Sequence, residues 1–121
     1  MIKFWNKYSE VFAYLDDDGE SIYLWSGEPV AWLSGDAIFT YCGKHLGWMT
    51  DEFAYDRFGN HAFYVESVYG LFDKNPLRAP GPRGVQGIRP MRKPTETPPM
   101  KPQFSSSRSP YSEELFFSQY D

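Results

Sequence analysis

Apolar residues along the first 68 or so positions come in runs of about four or five, separated by brief polar interruptions. The runs are too short for helices and are rich in aromatic and β-branched side chains, which suit strands. Ile22-Tyr23-Leu24-Trp25 leads to Ser26-Gly27, then to an apolar run from Pro29 to Leu33, then to Ser34-Gly35-Asp36. The order predicted is strand, turn, strand, turn. Gly27, Gly43 and Gly59 fall where the chain reverses, and glycine tolerates the positive φ that such turns need. Asp16-Asp17-Asp18-Gly19, Ser34-Gly35-Asp36 and Thr50-Asp51-Glu52 read as polar connectors between hairpins.

The hairpins repeat. Ile22 to Asp36 aligns with Ile38 to Glu52 at a shift of 16, which sets Val30-Ala31-Trp32 on Leu46-Gly47-Trp48. A small residue followed by an aromatic recurs at Ala13-Tyr14 and Ala62-Phe63, so the small residues are spaced by 18, 16 and 15. Trp5, Tyr23, Phe39 and Tyr55 stand seven or eight positions before the small residue of their own unit. Internal periodicity of this kind defines architecture more firmly than local propensity. A lone hairpin is marginal in water, and its edges would invite pairing with other chains. The predicted fold is therefore all-β, with four hairpin repeats closed into a small pseudo-fourfold barrel or rosette. The small residues Ala13, Ala31, Gly47 and Ala62 are expected on the crowded axis, with Tyr14, Trp32, Trp48 and Phe63 on the other face. Burying one such ring is worth about 1.5–3 kcal/mol, so those rings need cover.

After residue 74 the composition changes, and nine of the ten prolines lie between Pro76 and Pro110. Pro90, Pro94, Pro98 and Pro102 recur every fourth position. No helix or central strand survives that density, and a strap of polyproline II character follows, able to reach on the order of 100 Å. Beyond it Ser109 can cap, Pro110 suits a first helical position, and Glu113 and Glu114 favour the start of a helix. Leu115, Phe116 and Phe117 form the apolar anchor of that end. Three parts are expected: a four-repeat domain over 1–74, a proline-rich strap over 75–110 and a short helical segment over 111–121.

Charge divides along the same line. Residues 1–70 carry four basic against eleven acidic side chains, whereas residues 71–110 carry eight basic against two acidic. The opposite fields favour the tail folding back over its own domain or a sister copy, possible homo-oligomer contact included, over nucleic acid or acidic lipid. A single cysteine, Cys42, leaves no intramolecular disulfide and no Cys pair for a zinc ribbon. With no signal-peptide pattern at the N-terminus and no apolar run of membrane-spanning length, a cytoplasmic protein without membrane partner is expected.

Candidate chemistry is sparse. Cys42 and His45 could be a nucleophile and base, but no third residue is indicated to orient them. Cys42, His45, His61 and either Asp51 or Asp56 are zinc-ligand types at irregular spacing. Asp16-Asp17-Asp18-Gly19-Glu20 begins like a calcium loop, but its twelfth position is Gly27 in place of glutamate. No catalytic residue, metal site or cofactor is assigned. Pro99-Met100-Lys101-Pro102 fits the minimal proline-ligand pattern, which a proline-rich chain produces by chance. Trp25, Tyr41 and Phe58 lie beside the repeated turns and could form a platform for sugar, base or peptide, or a surface covered by the strap.

The strings Tyr23-x-Trp25-Ser26-Gly27-Glu28-Pro29-Val30-Ala31-Trp32, Gly43-Lys44-His45-Leu46-Gly47-Trp48 and Tyr55-Asp56-x-x-Gly59, followed by a proline strap and Glu113-Glu114-Leu115-Phe116-Phe117, resemble the four-fold beta flower proteins, a family of small, mainly bacterial proteins. Asn60-His61-Ala62-Phe63 departs from that pattern, with a histidine where an apolar residue is expected. The resemblance implies a β fold with fourfold pseudosymmetry and no particular activity. The expected role is a non-catalytic structural or protein-interaction module whose basic tail docks on the acidic domain. Carbohydrate or nucleic-acid binding by exposed aromatics, or a small hydrolase, are the alternatives.

Overall fold

The structure is a computed structural model that describes residues 1–6, 10–65, 81–104, 107, 109 and 114–118. Eight short strands follow one another: β1 (Ile2–Trp5), β2 (Val11–Leu15), β3 (Ser21–Leu24), β4 (Pro29–Ser34), β5 (Ala37–Phe39), β6 (His45–Met49), β7 (Phe53–Asp56) and β8 (His61–Val65). Each pairs antiparallel with its chain neighbours, and β8 returns to β1 through Phe4 opposite Val65 and Trp5 opposite Tyr64. The sheet is a closed barrel, so no strand edge remains exposed.

The fourfold repeat is visible in the hydrogen bonds. In the last three hairpins the N–H of Leu24, Thr40 and Asp56 donates to the carbonyl of the residue four ahead, while Gly27, Gly43 and Gly59 donate back to those same three residues. The three glycines have φ of 98°, 91° and 87°, the left-handed geometry of a three-residue hairpin loop. Every hairpin also carries a bulge at one place, after Phe4, Ile22, Ile38 and Ala54. The residues left without a pairing partner there are Phe12, Val30, Leu46 and Ala62. They turn inward, and all four belong to the core or pack against it. Bulges tighten strand twist, which lets so small a sheet close.

This register corrects the expected alignment of the fourth unit. Between the two strands of each hairpin Phe4 pairs with Ala13, Ile22 with Ala31 and Ile38 with Gly47, whereas Ala54 pairs with Phe63. Ala62 is therefore the bulge residue, and Phe63 lies on the core face, not the outer one. The repeat is 18, 16 and 16, with Tyr64 matching Tyr14, Trp32 and Trp48. One large and one small side chain meet in every hairpin, so exchanging their strands preserves the volume that close packing demands. Gly47 is the extreme case. A methyl group there would lie 1.9 Å from the carbonyl oxygen of Tyr55 on the adjacent strand.

The core runs the length of the barrel and includes Phe4, Ile22, Ile38 and Phe63. Toward the hairpin-loop end it takes in Phe116 and Phe117 from a single helical turn, α1 (Glu114–Phe117). Phe116 is fully buried, with its ring 5.4 Å from that of Phe63; Phe117 lies 6.2 Å from Phe12. The rest of the expected helix, residues 111–113 and 119–121, and the Leu115 side chain lie outside the described residues, as do 66–80 across the expected domain boundary.

Candidate functional site: the strap and the barrel mouth

Residues 81–104 run across the hairpin loops without helix or strand. Their attachment has a period of its own. The Gly84 N–H donates to the Trp25 carbonyl at 2.8 Å, and nine residues on Lys93 donates to the Tyr41 carbonyl at 2.9 Å. Gly87 donates to the Gly27 carbonyl, and Glu96, again nine residues on, to that of Gly43. The strap lies so close that a methyl group on Gly27, Gly43 or Gly59 would come within 2.0, 2.1 or 2.6 Å of the carbonyl oxygen of Val85, Pro94 or Gln103. One nine-residue strap repeat thus spans one sixteen-residue hairpin. At the third hairpin loop in this series the position equivalent to Gly84 and Lys93 is Pro102, which has no N–H to donate.

Side chains follow the same spacing. The Arg83 guanidinium lies 4.9 Å over the Tyr14 ring, Arg92 lies 4.2 Å over the Trp32 ring and 3.1 Å from the Glu20 carboxylate, and Lys101 pairs with Asp36. Arg89 adds a 2.9 Å pair with Asp18. Burial alone would raise the Asp18 carboxyl, but hydrogen bonds from Ser21 Oγ and the Ser21 and Glu20 amides, together with Arg89, hold it down to about 2. Phe104 stacks flat on Tyr55 at 4.0 Å. The strap ends where His61 N–H donates to the Ser107 carbonyl, Ser109 N–H donates to the His61 carbonyl, and Ser109 Oγ donates to buried Asp56 at 2.6 Å.

The residues suggested by the sequence are placed separately. Trp25 donates its indole N–H to the Gly81 carbonyl at 2.9 Å, Tyr41 is buried, and Phe58 is 73% exposed. Phe58 is not the structural equivalent of the other two. Arg57 occupies that loop position, and Phe58 matches Ser26 and Cys42. The three rings therefore do not share one repeated position. His45 is fully buried, its ring 4.6 Å from Trp48 and 5.5 Å from Phe39, and burial followed by the Arg57 charge lowers its pKa. Cys42 is exposed on its loop, His61 stacks on Phe53 at 4.2 Å, and Asp56 accepts from the amides of Phe58 and Asn60. Among the described residues no three histidine, cysteine or acidic side chains converge as a metal site. None of the helices among them is long and apolar enough to cross a membrane.

A cavity of about 730 Å³ opens at the barrel end opposite α1, between the connectors that join one hairpin to the next. Leu15, Leu33, Met49 and Val65, spaced by 18, 16 and 16, supply one apolar wall from each hairpin, and Ile2 joins them. Asp36, Thr50 and Asp51 supply the polar rim. Sequence reasoning missed this site. The signal was the fourfold spacing of the last apolar residue in each second strand, which reads as ordinary core until the strands are known to end there.

Eight antiparallel strands in four equivalent hairpins, with successive segments of one extended strap crossing the loops of the last three, define a girdled fourfold barrel. The sequence profile of the 4-fold beta flower proteins matches residues 2–117, and the chain belongs to that family. No curated protein and no solved structure matches it.

Proposed function

We propose that the protein is a non-catalytic binding module in which the strap and α1 stiffen a small barrel and the open mouth receives a ligand. The single observation carrying this reading is the cavity of about 730 Å³, walled by one apolar side chain from each hairpin, at the end that α1 does not occupy. Ligand sites favour barrel mouths, and a largely apolar cavity of this size with a few polar groups is the usual form. Rigidity supports the role, because a preorganised cavity loses less freedom on binding. The test is fluorescence of the neutral reporter N-phenyl-1-naphthylamine with the intact chain. Saturable enhancement is expected, lost in Leu33→Asn and Met49→Asn variants that keep the parent circular dichroism. No enhancement, or enhancement indifferent to both substitutions, overturns the reading.

A second reading, protein interaction through the strap, rests on a different observation. Val85, Ile88, Met91 and Met100 are 92%, 97%, 89% and 93% exposed. They are separated by multiples of three, so in a polyproline II conformation they would share one edge. Self-association through that edge would appear in light scattering as a mass above that of one chain and be lost on Ile88→Ser with Met91→Ser; a single-chain mass removes it.

A further inference from the structure

We infer that the mouth selects small organic cations, namely an aliphatic or aromatic body carrying an ammonium group; this rests on the mouth being a binding site. The chemistry of the lining points there. Its walls are hydrocarbon and thioether, and among the described residues its charged lining groups are the carboxylates of Asp36 and Asp51, with no cationic side chain beside them in the lining. An apolar body entering the cavity therefore brings any head group up to a carboxylate rim. An anionic head would meet like charge, a neutral one would gain only burial, and an ammonium would gain both burial and attraction.

The chain already places such a group there. Lys101 Nζ, carried by the strap, pairs with Asp36 at the rim. Its side chain is 52% exposed and that of Asp36 is 48% exposed, so this ammonium sits at the edge of the cavity without filling it. Lys101 is then a built-in competitor. A ligand ammonium displaces it or shares the carboxylate, and removing Lys101 raises affinity for cations specifically. Half-exposed ion pairs are weak, so the charge preference is modest, at most about fivefold. It shrinks as salt screens the rim.

The experiment displaces the naphthylamine reporter from the intact chain with octylammonium, octanol and octanoate at matched pH. The expected order of affinity is octylammonium, then octanol, then octanoate. The gap between the first two should close at high salt, close in Asp36→Asn, and widen by up to about fivefold in Lys101→Met. Equal affinities, or octanoate binding best, would overturn the charge selection while leaving a binding mouth in place. Failure of the reporter to bind at all removes both. The salt series on the unmodified chain decides the question even if a rim variant folds poorly.

Discussion

At the scale of single residues, Gly43 does two things that can be separated. It holds a φ of +91° and admits the Pro94 carbonyl, whereas Gly35 holds +63° with nothing within 4 Å of where a Cβ would lie. Gly35→Ala is expected to cost about 1 kcal/mol from backbone strain alone, and Gly43→Ala about 2–4 kcal/mol because the strap must also move. Thermal denaturation of the two variants checks the ordering. Acid should weaken the protein in two windows. Burial, then Arg57, lowers His45, so its contribution is intact above its ordinary 6.5 and declines below that value as the unfolded chain takes up a proton the folded chain resists. Asp18 is depressed from 3.8 to about 2, so its contribution is present above 3.8 and lost as pH falls through about 2. Melting temperature against pH should lose the upper decline in His45→Phe and shrink the lower in Asp18→Asn. The turn glycines were legible in the sequence because a reversing chain with positive φ leaves few other residue types. The burial of His45 was not, since a histidine at the start of a strand looks alike whether it faces water or two aromatic rings.

At the scale of elements, the exchange of large and small residues between β7 and β8 is open to a direct test. Ala54→Phe and Phe63→Ala should each be destabilising, by overpacking or by a cavity, at about 1–3 and 3–5 kcal/mol. The double variant restores the size order of the other three hairpins and should lose at least about 1 kcal/mol less than the sum, measured by denaturant unfolding. Additive losses would mean that the two side chains do not share a site. The same pair shows why the fourth unit misled sequence reasoning: Ala62-Phe63 imitates Ala31-Trp32, yet Ala62 holds the bulge position of Val30 and Leu46 and Phe63 the position of Ala31 and Gly47. The nine-residue spacing of the strap was missed for a related reason. Proline at every fourth position drew attention from Arg83, Arg92 and Lys101, nine apart, with Pro90 and Pro99, and Met91 and Met100, repeating beside them. The basic residues carry the pairing, and prolines serve mainly to keep the chain extended. In α1, Phe116→Ala should cost about 3–5 kcal/mol, because that ring is wholly within the core.

At the scale of the whole molecule, the acidic barrel and basic strap form a charge-complementary assembly within one chain. Deleting residues 76–121 should lower the melting temperature, increase hydrophobic-dye fluorescence above that of the intact chain, and promote aggregation. A soluble truncation with unchanged melting temperature and no added dye signal would show that the barrel needs no girdle. Closure and fourfold symmetry were legible in the sequence because four marginal hairpins have few other ways to hide their edges. The mouth was not, since a cavity is a property of where several strands stop. The nine-residue spacing of the strap carries one more consequence. In the polyproline II form that its composition favours, the strap would turn once every three residues, so nine residues would make three whole turns and bring the same side to each hairpin. Removing a single residue between Val85 and Pro94 would turn every later donor by about 120° away from its carbonyl. Such a deletion, harmless in an ordinary linker, should lower the melting temperature more than any one side-chain substitution in the strap.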